Sequence, residues 1–233
     1  MSQAAPILAI AMVAAGYLSV LCATPPNLSP DQKDRHQNDR LSVVSGNFAL
    51  VARRFTLAIA IYHALLVMTP HYAAGRIGQI CPNPQNINPD VITWSAIPIA
   101  SLLLIFIGAY IRLSAFGGLG KSFTFHLATP DHLVTTGVYN WVQHPSYTGA
   151  GMVLTGVVIL FFRWDAAPAC WIAESAVTQL QGWGLSTSLM LLGTGFWGMG
   201  MRVLDEESML KQAFGQEWED WHRSTKRFVP GLF

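Results

Sequence analysis

Charge is what this chain has least of. Only 12% of its 233 residues are Asp, Glu, Lys or Arg, against about 25% in ordinary soluble domains. That scarcity argues against a water-covered globule. The formal net charge is +1, too small to give the basic field that nucleic-acid backbones require. Cysteine is scarce as well. Three residues, an odd number, do not make the framework of a small disulfide-built domain. The seven histidines show no His-Glu-x-x-His or comparable ligand spacing, so no metal is expected. No P-loop and no Gly-x-Ser-x-Gly elbow is present, and nothing supports a site for nucleotide phosphates. Internal repeats and low-complexity segments are absent too.

What is abundant is apolar. Hydrophobic residues make up 52% of the chain and mean hydropathy is positive, so an integral membrane, all-α helical bundle is expected. A hydrocarbon core of ~30 Å takes about 20 helical residues. Five segments approach that length: Pro6–Ala23, Gly46–Met68, Val91–Leu113, Tyr147–Phe162 and Leu185–Met201. The first has no Lys or Arg before it, unlike a signal peptide, and reads as a retained membrane helix rather than a cleaved leader. The fourth and fifth are short and glycine-rich, which would let their backbones meet as a C-terminal helical hairpin. Glycine is also simply common in membrane helices.

Polar stretches separate these spans. Thr24–Arg40 and the proline-rich Thr69–Asp90 read as loops, as does Arg163–Gly184. Ser114–Ser146 is the longest interior polar stretch. Asp205–Phe233 is a charged tail in which Met209, Leu210, Ala213, Phe214, Trp218 and Trp221 recur at helical spacing. If the first helix starts outside, the inner side holds Lys33, Arg35, Arg40, Arg53, Arg54, Arg112, Lys121, Arg202, Lys211, Arg223, Lys226 and Arg227. The outer side holds only Arg76 and Arg163. All fourteen basic residues are then assigned, and the positive-inside rule places the tail and the Ser114–Ser146 stretch in the cytosol. Cys81 and Cys170 both fall outside, where an oxidising lumen would allow them to pair.

Two sets of residues stand out for chemistry. Arg202 and Glu206 lie one helical turn apart at the inner end of the fifth span. They form either a local salt bridge or a functional pair, since charge beside a membrane span is commonly functional. The other set is Gly137–Gly149, a polar and aromatic run placed directly before an apolar one. Pro145 biases His144 away from helical geometry and allows a helix to start just after it. His144, Ser146 and Tyr147 would then stand at a helix N-terminus suited to an anionic group. A purely structural His-Pro turn is the other reading, and Tyr139 and Trp141 fit an interfacial aromatic belt equally well. His63, alone within the second span, reads as a packed histidine.

Three separated runs carry a resemblance: Asp131-His132-Leu133-Val134-Thr135-Thr136-Gly137-Val138-Tyr139, then His144-Pro145-Ser146-Tyr147-x-Gly149, then Arg202-x-x-x-Glu206-Glu207-x-x-Leu210-x-x-x-Phe214-Gly215-x-Glu217-Trp218. In this order, over about the last 120 residues, the chain resembles the isoprenylcysteine carboxyl methyltransferases. The resemblance implies two regions, 1–113 of N-terminal membrane helices and 114–233 of catalytic sequence. It implies methyl esterification, from S-adenosylmethionine, of the prenylated cysteine that ends a processed CaaX protein. It implies an enzyme of the endoplasmic reticulum with its site facing the cytosol. His132, Leu133, Val134, Tyr139, His144, Pro145, Ser146, Tyr147 and Glu206 would contact the cofactor, and Arg202 the substrate. The chain departs from the family pattern at Gln143, where arginine is usual, at Ala128, where glutamine is common, and at Trp218, where tyrosine is common. A membrane methyltransferase acting on phospholipid amines and a related membrane reductase are the alternatives.

Overall fold

The computed structural model describes residues 4–27, 46–72 and 77–231. Part of the expected Thr24–Arg40 loop, with Lys33, Arg35 and Arg40, lies outside the described residues, as does Arg76. Eight α-helices are present among the described residues: α1 (Ala4–Cys22), α2 (Asn47–Tyr72), α3 (Ile77–Ile80), α4 (Ala96–Leu119), α5 (Pro145–Phe161), α6 (Glu174–Leu180), α7 (Trp183–Phe214) and α8 (Gln216–Ser224). No β-strand occurs among the described residues; one isolated parallel bridge joins Val142 to Lys226. The protein is an all-α membrane helical protein. Segments Ala4–Cys22, Asn47–Thr69 and Pro89–Ser122 are long and apolar enough to cross a bilayer. They leave large apolar side chains such as Ile10, Phe48 and Tyr110 exposed, which suits lipid rather than water.

The other two expected spans take different forms. Helix α5, with 17 residues, is a shorter apolar helix at the low end of a spanning length. The fifth segment does not end at Met201. It continues as α7 for 32 residues, about 48 Å at ~1.5 Å per residue, because nothing in Arg202–Phe214 breaks a helix. The break comes at Gly215, whose φ of 51° is one that L side chains rarely adopt. The tail helix expected over Asp205–Trp221 is therefore split between the end of α7 and α8.

The chain forms two compact units. The first comprises Met1–Val20, Arg53–Phe106 and Val153–Thr194. In it a Cβ on Gly156 would lie 2.6 Å from the Ser101 carbonyl oxygen, so glycine permits close approach of α5 to α4. His63 is fully buried, and its Nε2 donates to the Val91 carbonyl at 2.9 Å; it is the packed histidine expected. The segments 77–91 and 163–172 are stitched by asparagines: Asn83 to the Cys170 carbonyl at 3.2 Å, Asn86 to the Ile172 carbonyl at 2.8 Å and Asn88 to Asp165 at 3.1 Å. Cys81 and Cys170 are joined as a disulfide, inside a cluster with Leu66, Ile87, Val91, Ala166, Ala167 and Ala169. Replacing both cysteines by alanine is expected to lower stability by about 2–4 kcal/mol, read as a thermal shift in detergent. Peptide mapping with and without reductant should show the bridge.

The second unit comprises Leu21–Ala52, Ile107–Met152 and Gly195–Phe233. A Cβ on Gly149 would come within 2.5 Å of the Gly108 carbonyl oxygen, and one on Gly151 within 2.8 Å of the Phe196 ring. Gly198 and Gly200 of α7 meet nothing within 4 Å, nor does Gly193 in the first unit. The tightest backbone approach is thus between α5 and α4, rather than between the fourth and fifth spans as their glycine content suggested. In this second unit Trp218 of α8 is buried with Leu127, Met209 and Leu210, and Leu133, Phe214 and Trp221 pack around them.

Candidate functional site

Every residue pair described here lies in the second unit. Gly137 takes φ 62° and turns the chain into a short 3-10 turn over Gly137–Asn140. That turn buries Tyr139, whose hydroxyl donates to the Ala115 carbonyl at 3.3 Å. Burial, reinforced by the Glu206 carboxylate, raises the Tyr139 pKa well above the usual phenol value; the residue is a neutral donor, not a base.

Helix α5 starts at Pro145. Proline suits that first position because its missing N–H would have no intrahelical partner. The carbonyl of His144 accepts from the N–H groups of Tyr147 and Thr148, each at 3.1 Å. The helix start therefore fixes His144 just outside the helix and Ser146 and Tyr147 in its first turn. His144 is 3% exposed. Its Nε2 lies 3.1 Å from Oε1 of Glu207. Arg227 clamps the same carboxylate, with Nε and Nη2 each donating at 2.8 Å. Burial pushes the Glu207 pKa upward, but the hydrogen bonds from His144 and Arg227 outweigh it and hold the carboxyl below its ordinary range. An ionised Glu207 only accepts, so Nε2 carries the proton that points at it. Among the described residues Nδ1 of His144 has no hydrogen-bond partner; it stands 3.9 Å from Oε1 of Glu206.

Glu206 accepts from the Tyr147 hydroxyl at 2.9 Å. Arg202 is buried; its Nη2 donates to the Phe125 carbonyl, and its side chain reaches the same Tyr147 hydroxyl. The structure thus brings together Arg202, Glu206, Tyr147, Tyr139 and His144, with Pro145 and Ser146 in the helix turn that holds them. It does not bring all the expected contacts into the cluster. His132 is exposed and Val134 half-buried, while Leu133 packs on the cluster around Trp218.

Sequence reasoning did not foresee the contacts of three polar side chains around this cluster. Glu207 was seen only as the neighbour of Glu206. Arg227 lies 20 residues further on, and no helical period connects the two. Gln143 stood out as a missing cation, yet it is buried and acts as a latch. Its Nε2 donates to the His222 carbonyl at 3.1 Å and to the Thr225 carbonyl, and its Oε1 lies 2.9 Å from Nδ1 of His222. The His222 ring stacks on Trp218 with centroids 4.4 Å apart. Beside it the backbone N–H groups of Gln143 and His144 donate to the carbonyls of Lys226 and Arg227 at 2.8 and 2.9 Å. Thr148 Oγ1 donates to the Phe228 carbonyl at 2.9 Å. An arginine at position 143 could not accept from His222. Gln143→Ala is expected to destabilise the tail by about 1–3 kcal/mol, the cost of leaving buried polar groups unpaired. Limited proteolysis near Thr225 and thermal unfolding would register it.

Fold and site together define a class: a membrane helical protein whose last helices and tail enclose a buried, ion-paired polar cluster at a helix start. Residues 101–212 match the family described as isoprenylcysteine carboxyl methyltransferase (ICMT), and through this region the chain is similar to that family. It is 28% identical over 152 residues to the protein-S-isoprenylcysteine O-methyltransferase of Dictyostelium discoideum, covering 62% of this chain and 53% of that protein. It is 29% identical over 136 residues to the Schizosaccharomyces pombe protein of the same name, covering 56% and 48%. A probable enzyme of that name in Oryza sativa subsp. indica is 25% identical over 147 residues, covering 61% and 65%. The chain therefore spans about half the length of the first two relatives.

Proposed function

We propose that this protein methylates the C-terminal carboxylate of a prenylated cysteine, with S-adenosylmethionine as methyl donor. The observation that carries this reading is a buried guanidinium, Arg202, gathered with Glu206 around the Tyr147 hydroxyl. The donor set fits such a cofactor. Glu206 and the unpartnered Nδ1 of His144 accept hydrogen bonds from an ammonium or hydroxyl, and guanidinium groups hold carboxylates. When bound, S-adenosylmethionine supplies an electrophilic methyl group. The residues themselves need do little acid–base work, because a C-terminal carboxyl with a pKa of about 3.3–3.7 is already ionised at neutral pH. Arg202 orients that carboxylate through a planar fork without donating its proton, and leaves one oxygen lone pair free. Burial of the cluster excludes water, whose competition would lower the yield of ester. The prenyl tail would reach the site from the bilayer.

The charge distribution supports a site facing the cytosol. The Cys81–Cys170 disulfide fits an oxidising lumen. Membranes containing the protein, labelled S-adenosylmethionine, and farnesyl- and geranylgeranyl-cysteine analogues beside an aminophospholipid test the reaction. Base-labile methyl ester on the prenylcysteines alone is expected. Label on the phospholipid, or none on the prenylcysteines, would overturn it. In the same membranes Glu206→Ala is expected to weaken cofactor binding about tenfold or more, as loss of a charge-assisted hydrogen bond of ~1.5–3 kcal/mol implies.

A further inference from the structure

Arg112, near the end of α4, is a cation that the reading above does not use. Its Nε donates to the Cys22 carbonyl at 2.6 Å, and its Nη1 donates to both the carbonyl and the Oγ of Ser146, each at 3.0 Å. Nη2 has no hydrogen-bond partner among the described residues, and no carboxylate there is paired with this guanidinium. The group lies over the Phe116 ring at 4.9 Å and the Phe125 ring at 5.8 Å. Phe125 is also the residue whose carbonyl accepts from Arg202. Two guanidinium groups thus converge on one residue. One of them stands against the first turn of α5, where the backbone N–H groups of a helix start already favour anions. A half-buried positive charge answered only by neutral dipoles is costly to hold. An incoming anion removes that cost. The rings beneath it and the two carbonyls behind it keep the fork from turning away.

We propose that Arg112 is a carboxylate-binding residue of this site, working beside Arg202. The inference rests on the methyl-transfer reading, which brings two carboxylates to the site: that of the acceptor cysteine and that of the amino-acid end of the methyl donor.

The test measures the affinity ratio of acid to matching carboxamide in two arms. One arm uses farnesylcysteine and its amide; the other uses S-adenosylhomocysteine and its carboxamide. The wild-type protein should prefer the acid in the arm whose carboxylate Arg112 holds. Arg112→Gln keeps donors toward Cys22 and Ser146 but removes the charge, and should reduce that ratio about tenfold or more while leaving the other arm unchanged. Arg112→Lys should restore part of it. A tie that is only structural would weaken acid and amide equally and leave both ratios at their wild-type values; that result overturns the assignment. If the glutamine variant does not fold, the lysine variant decides alone, since it keeps charge but not the fork: an unchanged ratio in both arms overturns the proposal. Failure of the methyl-transfer reading would show separately, as wild-type protein that binds neither acid.

Discussion

Arg202→Ala is expected to slow methyl transfer by roughly thirtyfold to several thousandfold, the equivalent of the ~2–5 kcal/mol that loss of a buried, hydrogen-bonded charge contact costs. The guanidinium is buried and its Nη2 donates to the Phe125 carbonyl. Alanine would therefore remove both the charge and the bond to Phe125 that aims it. Affinity for S-adenosylhomocysteine should fall far less, because Glu206 keeps its bond from Tyr147. Initial rates over a range of acceptor concentrations, set beside direct cofactor binding, separate the two effects. Turnover within twofold of wild type would remove Arg202 from its role. Equal losses in rate and cofactor affinity would place it on the cofactor instead.

Glu207→Ala is expected to act on the fold. The carboxylate is buried and joins His144 to both nitrogens of the Arg227 fork. Breaking a buried charge pair costs about 3–5 kcal/mol, but Arg227 is 39% exposed and can turn to water, so about 2–3 kcal/mol is the expectation here. The same group gives a pH signature. Its folded-state pKa is depressed, so its contribution is present above the ordinary glutamate value and is lost as pH falls through the depressed one. Melting temperature measured from pH 7 down to pH 3 should fall more steeply for wild type than for Glu207→Gln. Parallel curves would show that the carboxylate is not held ionised by these partners.

The contrast between Glu206 and Glu207 shows where sequence reading succeeds and where it stops. That Glu206 shares a helix face with Arg202 was legible, because one helical turn separates them and helix geometry is a local rule. The apolar spans, the packed His63 and the helix start at Pro145 were legible for the same reason. Glu207 takes its meaning from Arg227, and Gln143 from His222 and Thr225. Those partners are brought close by a positive-φ break at Gly215 and a returning tail. Spacing along the chain carries no trace of such a return. The glycine-rich fourth and fifth spans suggested a partnership that the structure gives mainly to α4 and α5. Glycine content reports that a backbone can be approached, not which neighbour approaches it. Of the basic residues counted for topology, Arg112 had nothing to distinguish it until Ser146 and two phenylalanine rings were seen around it.

The returning tail is held chiefly through its main chain: the carbonyls of Lys226, Arg227 and Phe228 receive the donors of Gln143, His144 and Thr148. Attachment of that kind reads chain count, not side-chain identity. Substitutions at Lys226 or Phe228 should be well tolerated, whereas one residue inserted or deleted between Ser224 and Lys226 would shift every later carbonyl by one place. It would also carry the Arg227 fork off Glu207. Among related sequences this stretch should vary freely in letters and hardly at all in length.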